Sequence, residues 1–179
     1  MKKIVVVGVT ASVACYKALD IIRGLQRLGL STEVVLTKEA EEFIKPILFQ
    51  SVSGNKVISS DMFKAPEEWD IAHVSLAKKA DLVLVAPATA NIIGKVASGI
   101  CDDMLTCTIC ATKSPVLFAP AMNEAMYKNK IVQQNIQKLK KTGYHFTGPI
   151  KGSLACGTQG LGHIQDVSVI IKETKRLLG

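Results

Sequence analysis

What this 179-residue sequence lacks narrows it first. No apolar run approaches the roughly 20 residues that cross a bilayer. The longest, residues 4–9 and 82–86, have the length of strands buried in a sheet. Aromatic residues are few, with five Phe, three Tyr and one Trp, so no aromatic platform for stacking single-stranded bases is present. The three histidines, His73, His145 and His163, show no metal-ligand spacing, and no metal is expected. Five cysteines are an odd number and do not make a disulfide framework. Cys107 and Cys110 form one CxxC without a second pair or neighbouring histidines, inside an apolar run, 104–111, that reads as a buried helix. Met1 leads almost directly into the first apolar run, which leaves no room for a secretory signal; a cytoplasmic chain without membrane contact is expected.

What is present is an ordinary globular balance, 48% hydrophobic and 21% charged, of a length that suits one domain over residues 1–179. The formal charge is +7, from 22 Lys and Arg against 15 Asp and Glu. The densest basic group, Lys138, Lys140 and Lys141, lies on an amphipathic pattern and reads as a solvated helix face, so no nucleic-acid partner is expected.

Residues 3–8 form an uninterrupted β-rich run, the pattern of a strand covered on both faces. A helical pattern follows over 13–28 and stops at Gly29. Further strands are expected over 33–36, 81–86, 115–119 and 144–146, with helices over 39–45, 92–98, 103–111, 131–142 and 167–178. Residues 46–70 look less regular, with Gly54, Pro66 and Trp69 as loop markers, and 148–162 reads as a glycine-rich loop. Strands alternating with helices imply right-handed crossovers and an α/β fold, a three-layer, doubly wound parallel sheet of flavodoxin or Rossmann type. In such sheets ligands bind beyond the carboxyl ends of the strands. That rule selects Gly8–Ser12, Thr37–Lys38, Pro87–Asn91 and Pro120–Asn123, with Gly152–Gly162 as a further candidate, and almost all of the chemically suggestive residues fall in these loops.

Gly8-Val-Thr-Ala-Ser12 joins a strand to a helix with small residues and two hydroxyls, Thr10 and Ser12, a setting in which backbone N–H groups suit a phosphate. It is neither GxGxxG nor a P-loop, and an ordinary turn with a serine cap fits it equally. Pro87-Ala88-Thr89-Ala90-Asn91 combines small side chains, which let a ring or phosphate approach the backbone, with one amide; Thr89 or Asn91 also suits a helix cap. His73 precedes a polar helix, and a neutral imidazole there has the basicity of a general base near neutral pH. Ala121, Met122 and Asn123 end a strand, with the Asn123 amide able to meet a carboxylate. The stretch 152–162 has a single cysteine, Cys156, among glycines, which reads either as a lid or as a surface loop with an idle thiol.

Taken in order, Pro87-Ala-Thr-Ala-Asn91, Gly94-Lys-Val-Ala-Ser-Gly-Ile-Cys-Asp-Asp103, Pro120-Ala-Met-Asn123 and Ala155-Cys156-Gly157 resemble the homo-oligomeric flavin-containing cysteine decarboxylases. The resemblance spans nearly the whole chain. It implies FMN at the strand ends in a cleft between subunits, held by Gly8, Thr10, Ser12, Thr37, Pro87, Ala88, Thr89, Ala90 and Asn91. It also implies His73 as the active-site histidine, Asn123 with Ala121 and Met122 at the substrate carboxylate, and Cys156 as a proton donor. The Ala-Cys-Gly flap is similar to the branch of the family that acts on 4′-phosphopantothenoylcysteine in coenzyme A biosynthesis, as trimers or dodecamers. The synthetase domain fused to many bacterial members is not expected here. The sequence departs from the family at Thr89 and Ile92, where Ser and Thr are usual, at Ala11 for a common Gly, and at His163 where many members have Arg. Three other readings stand beside this one: decarboxylation of a peptide's C-terminal cysteine, flavin prenyl transfer, and an FMN-binding regulatory subunit. The flap argues against the first two, and His73, Asn123 and Cys156 together argue against the third.

Overall fold

The computed structural model describes residues 2–59 and 72–179. Its centre is a five-stranded, all-parallel sheet. The strands are β1 (Ile4–Val9), β2 (Ser31–Leu36), β3 (Leu82–Ala88), β4 (Val116–Pro120) and β5 (His145–Phe146), in spatial order β2-β1-β3-β4-β5. All seven residues of β3 and all five of β4 are buried, as continuous apolar runs covered by helices on both faces require. Each fully buried Val or Leu there stabilises the fold by roughly 1.5–3 kcal/mol. The expected α/β, doubly wound architecture is therefore present, and its order reverses between β1 and β3.

One face of the sheet, built on Val5, Val7 and Val9, is covered by α1 (Lys17–Arg27), α2 (Pro46–Ser53) and α8 (Val167–Leu178) through Ile21, Phe49 and Ile170. The other face, built on Val6, Val83 and Phe118, is covered by α3 (Ala72–Lys79), α4 (Ala90–Ala97), α5 (Met104–Ala111) and α7 (Lys130–Lys141) through Leu76, Ile93, Leu105 and Ile136. Alternation along β1 thus feeds two apolar layers from one strand. A five-residue helix, α6 (Glu124–Lys128), follows β4. Among the described residues no helix is long and apolar enough to cross a membrane.

Three expectations need correction. Pro46, which suggested irregular chain, begins α2, because a proline at the first helical position loses no intrahelical bond; Gly54 ends the helix at φ 73. The 39–45 helix shrinks to one 3-10 turn, Ala40–Glu42. The glycine-rich loop is an antiparallel hairpin of β6 (Ile150–Ser153) and β7 (Gln159–His163). Its glycines are contact residues: a Cβ on Gly162 would lie 2.1 Å from the Met122 carbonyl oxygen, and one on Gly152 would lie 2.9 Å from the His163 ring. The loop markers Pro66 and Trp69 lie outside the described residues.

Candidate active site

The chemistry-bearing loops meet at the carboxyl edge of the sheet. Thr10, only 2% exposed, donates its hydroxyl to the Pro87 carbonyl at 2.8 Å and accepts the Thr89 N–H at 3.2 Å, which ties the end of β1 to the end of β3. Thr37 joins from β2, its N–H donating to the Val9 carbonyl at 3.1 Å. Thr89 is also the N-cap of α4, accepting the Ile92 N–H at 3.4 Å, and Ser12 caps the one-turn 3-10 helix Val13–Tyr16 that runs into α1. Both capping readings therefore hold, and both leave helix-start N–H groups facing the strand ends. Pro87 and Ala88 belong to β3, while Ala90 and Asn91 open α4. Gly8 serves packing, since a Cβ there would lie 2.4 Å from Leu105 Cδ1.

Beside this junction lies a cleft of about 420 Å³, between the start of α1, the β4 end and the hairpin. Ser12, Lys17, Met122, Asn123, Cys156 and His163 are among its walls. Asn123 is the N-cap of α6: its Oδ1 accepts the Ala125 N–H at 2.8 Å, which fixes the amide and turns Nδ2 outward as a donor. That Nδ2 lies 3.8 Å from Cys156 Sγ, at the exposed tip of the hairpin. The Cys156 thiol is held below its usual range, first by the Thr158 hydroxyl 3.1 Å from the sulfur, then by the Thr158 N–H and the Asn123 amide.

Sequence reasoning missed Lys17 as a member of this cleft. Its ammonium lies 2.9 Å from His163 Nε2, while His163 Nδ1 lies 3.1 Å from the Ser153 carbonyl oxygen, so this side-chain pair joins the start of α1 to the hairpin. No spacing rule finds a pair 146 residues apart. His73 is half-buried in the first turn of α3 and is not among the residues of the cleft. Its helix packs on the β-face opposite the one that α1 covers.

The CxxC region is structural. Lys95 bonds Asp102 at 2.8 Å and Asp103 at 3.2 Å, and Asp103 caps α5 in a reciprocal box with Thr106. The expectation of burial is corrected in part: Cys107 is half-buried and Cys110 exposed. Burial, then the Asp103 charge, pushes the Cys107 thiol up, the opposite of what a thiolate ligand needs. Among the described residues no group of His, Cys, Asp and Glu is placed to hold a metal.

A family model described as Flavoprotein matches residues 1–179. The chain belongs to the flavoprotein family. This flavoprotein is 41% identical over 180 residues to a probable phosphopantothenoylcysteine decarboxylase of Streptococcus mutans, covering 99% of this chain and all of the relative. It is 43% identical over 168 residues to the coenzyme A biosynthesis bifunctional protein of Bacillus subtilis, covering 94% of this chain and 41% of that protein. The corresponding protein of Borreliella burgdorferi is 41% identical over 175 residues, covering 95% of this chain and 43% of the relative. The chain thus spans about two fifths of the length of these bifunctional relatives. Among solved structures, a PPC decarboxylase mutant complexed with pantothenoylaminoethenethiol superposes with a TM-score of 0.88 at 28% identity over 98% of both chains. An FMN binding protein superposes at 0.84 and 29%, over 98% of this chain and 96% of that one.

Proposed function

We propose that this flavoprotein decarboxylates 4′-phosphopantothenoylcysteine to 4′-phosphopantetheine in coenzyme A biosynthesis, using FMN, as a cytoplasmic homo-oligomer. The observation that carries the reading is the meeting of a fixed amide donor, Asn123 Nδ2, with the Cys156 thiol at 3.8 Å over a cleft open to the strand ends. The end-to-end likeness to a relative named as such a decarboxylase supports the substrate.

The strand-end junction fits FMN. Hydroxyls of Ser12, Thr37 and Thr89, the Asn91 amide and the small residues Ala11 and Ala90 offer hydrogen-bonding groups and close backbone approach, with no carboxylate among them to repel a phosphate, while the buried Thr10 holds the β1 and β3 ends together beneath them. Bound there, FMN would supply a two-electron oxidation of the substrate thiol to a thioaldehyde, and later the return of those electrons, so that no external redox partner is needed.

The protein's own groups do the rest. Asn123 Nδ2 donates to the substrate carboxylate and, being neutral, orients it without stabilising its charge against loss of carbon dioxide. Ala121 and Met122 shape the wall beside it. Lys17 presents a cation at the cleft, suited to an anionic substrate. His73 takes the proton of the substrate thiol. After carbon dioxide leaves, Cys156 gives a proton to the carbon that held the carboxylate. Because α3 lies on the sheet face opposite α1, His73 meets the cleft of a second copy in this reading, in a trimer or dodecamer.

One co-expression experiment tests both parts. With FMN and 4′-phosphopantothenoylcysteine, the parent protein releases carbon dioxide and His73→Asn and Asn123→Gln alone do not. Co-expressed in equal amounts, the two variants recover about a quarter of the parent rate, the fraction of sites that assemble with both intact residues when a site spans two copies. A parent that releases no carbon dioxide overturns the function; no recovery in the mixture overturns the shared site.

A further inference from the structure

Cys156 serves this chemistry only while the hairpin holds it over Asn123, and a two-stranded hairpin has little stability of its own. Its returning strand is fastened to the segment that bears Asn123. The Met122 N–H donates to the Gly162 carbonyl at 3.0 Å. One residue further on, the Leu161 N–H donates to Glu124 Oε1 at 3.3 Å. Gly160 lies flat against the same side chain: a Cβ there would come 2.9 Å from Glu124 Oε2 and 3.2 Å from Glu124 Cβ. Lys128, one turn along α6, bonds Glu124 Oε1 at 2.8 Å and holds the carboxylate toward the hairpin. Glu124 therefore joins three things at once: the helix whose N-cap is Asn123, the strand that returns from Cys156, and a lysine that fixes its rotamer.

On the functional reading given above, we propose that Glu124 is a positioning residue that pins the flap hairpin to the Asn123 helix and so sets the distance between the Cys156 thiol and the substrate carbon. The Lys128 ammonium, then the Leu161 N–H, holds the Glu124 carboxyl below the usual carboxylate range, so the side chain is an anion at neutral pH and accepts from the amide. The group is not among the residues of the cleft, and its place outside both core layers separates its effect from that of the fold.

The test compares Glu124→Ala with Glu124→Gln, whose amide oxygen still accepts from Leu161, in the full chain. Two quantities are read: hydrogen exchange of the hairpin amides in flavin-free protein, and reduced product formed per carbon dioxide released in FMN-loaded protein. Glu124→Ala is expected to speed exchange over 150–163 by about tenfold, the loss of one charge-assisted hydrogen bond, with sheet amides unchanged. In air, where dioxygen reoxidises the flavin left reduced after a failed protonation, the same variant lowers reduced product per carbon dioxide by about fivefold, because protonation fails more often than decarboxylation. Glu124→Gln stays within about twofold of the parent in both. The proposal is overturned if Glu124→Ala matches the parent in either quantity, if its two products fall in equal proportion, or if Glu124→Gln is as impaired as Glu124→Ala. A parent that releases no carbon dioxide overturns the functional reading instead, and the exchange arm still decides whether Glu124 pins the hairpin.

Discussion

Strands β3 and β4 are buried along their whole length, whereas residues 155–159 at the tip of the hairpin are all exposed. The sheet keeps its shape through apolar layers on both faces. The hairpin keeps its place through a few polar contacts at its base and through glycines that let its backbone lie against Met122 and Glu124. On the proposed function the two regions divide the work: the sheet edge would offer a fixed cradle, and the hairpin would bring one thiol to it. Damage to the sheet should therefore appear as lost stability, and damage to the hairpin as lost coupling between the two halves of the reaction.

The largest expected effect lies in the sheet. Phe118 is fully buried on β4 and stacks on Phe146 with ring centroids 5.1 Å apart. Phe118→Ala should cost about 3–5 kcal/mol in denaturant unfolding, far more than any single change at the hairpin tip. A loss below about 1 kcal/mol would mean that this face tolerates a cavity, and the contrast between the regions would weaken.

A smaller effect sharpens the hairpin side. In the proposed reaction Cys156 would donate only while protonated, so formation of reduced product should fall as pH rises through the thiol's depressed pKa. Thr158→Val removes the hydroxyl that depresses it most, returns the thiol toward its ordinary range, and should move that alkaline fall to higher pH while leaving stability unchanged. A profile of reduced product against pH that does not move, or moves to lower pH, would show that Thr158 does not set the thiol's acidity.

The same division explains what was legible in the sequence. The strand expected over 81–86, found over Leu82–Ala88, read clearly because burial on both faces leaves an unbroken apolar run; its last two residues had read as loop because they include Pro87. The rule that ligands gather beyond strand ends led to Thr10, Thr89 and Asn123 from position alone. The hairpin was read as a loop, because Gly152, Gly160 and Gly162 are poor strand residues whose presence is explained only by what their backbones touch. Helix α2 was missed because Pro46 reads as a breaker until it is seen at the first position of a helix. Lys17, His163 and Glu124 were missed for a further reason. The contacts that tie them to the hairpin, Glu124 to Leu161 and Lys17 to His163, span 37 and 146 residues and nothing local marks them; the one local signal, the Glu124–Lys128 spacing, reads as an ordinary helix-surface pair. His73 was read as a candidate base, but its place away from its own chain's cleft was not legible, since the layer a helix joins depends on the crossover and not on its composition.

The most direct test of the central claim is the identity of the product made by Cys156→Ser with FMN and 4′-phosphopantothenoylcysteine, read by mass against the parent. The parent should yield carbon dioxide and fully reduced 4′-phosphopantetheine, while the variant should release carbon dioxide and stop at the enethiol, two hydrogens lighter. Fully reduced product from the variant at the parent's rate would contradict the role of the flap thiol, and absence of carbon dioxide from both proteins would contradict the reaction itself.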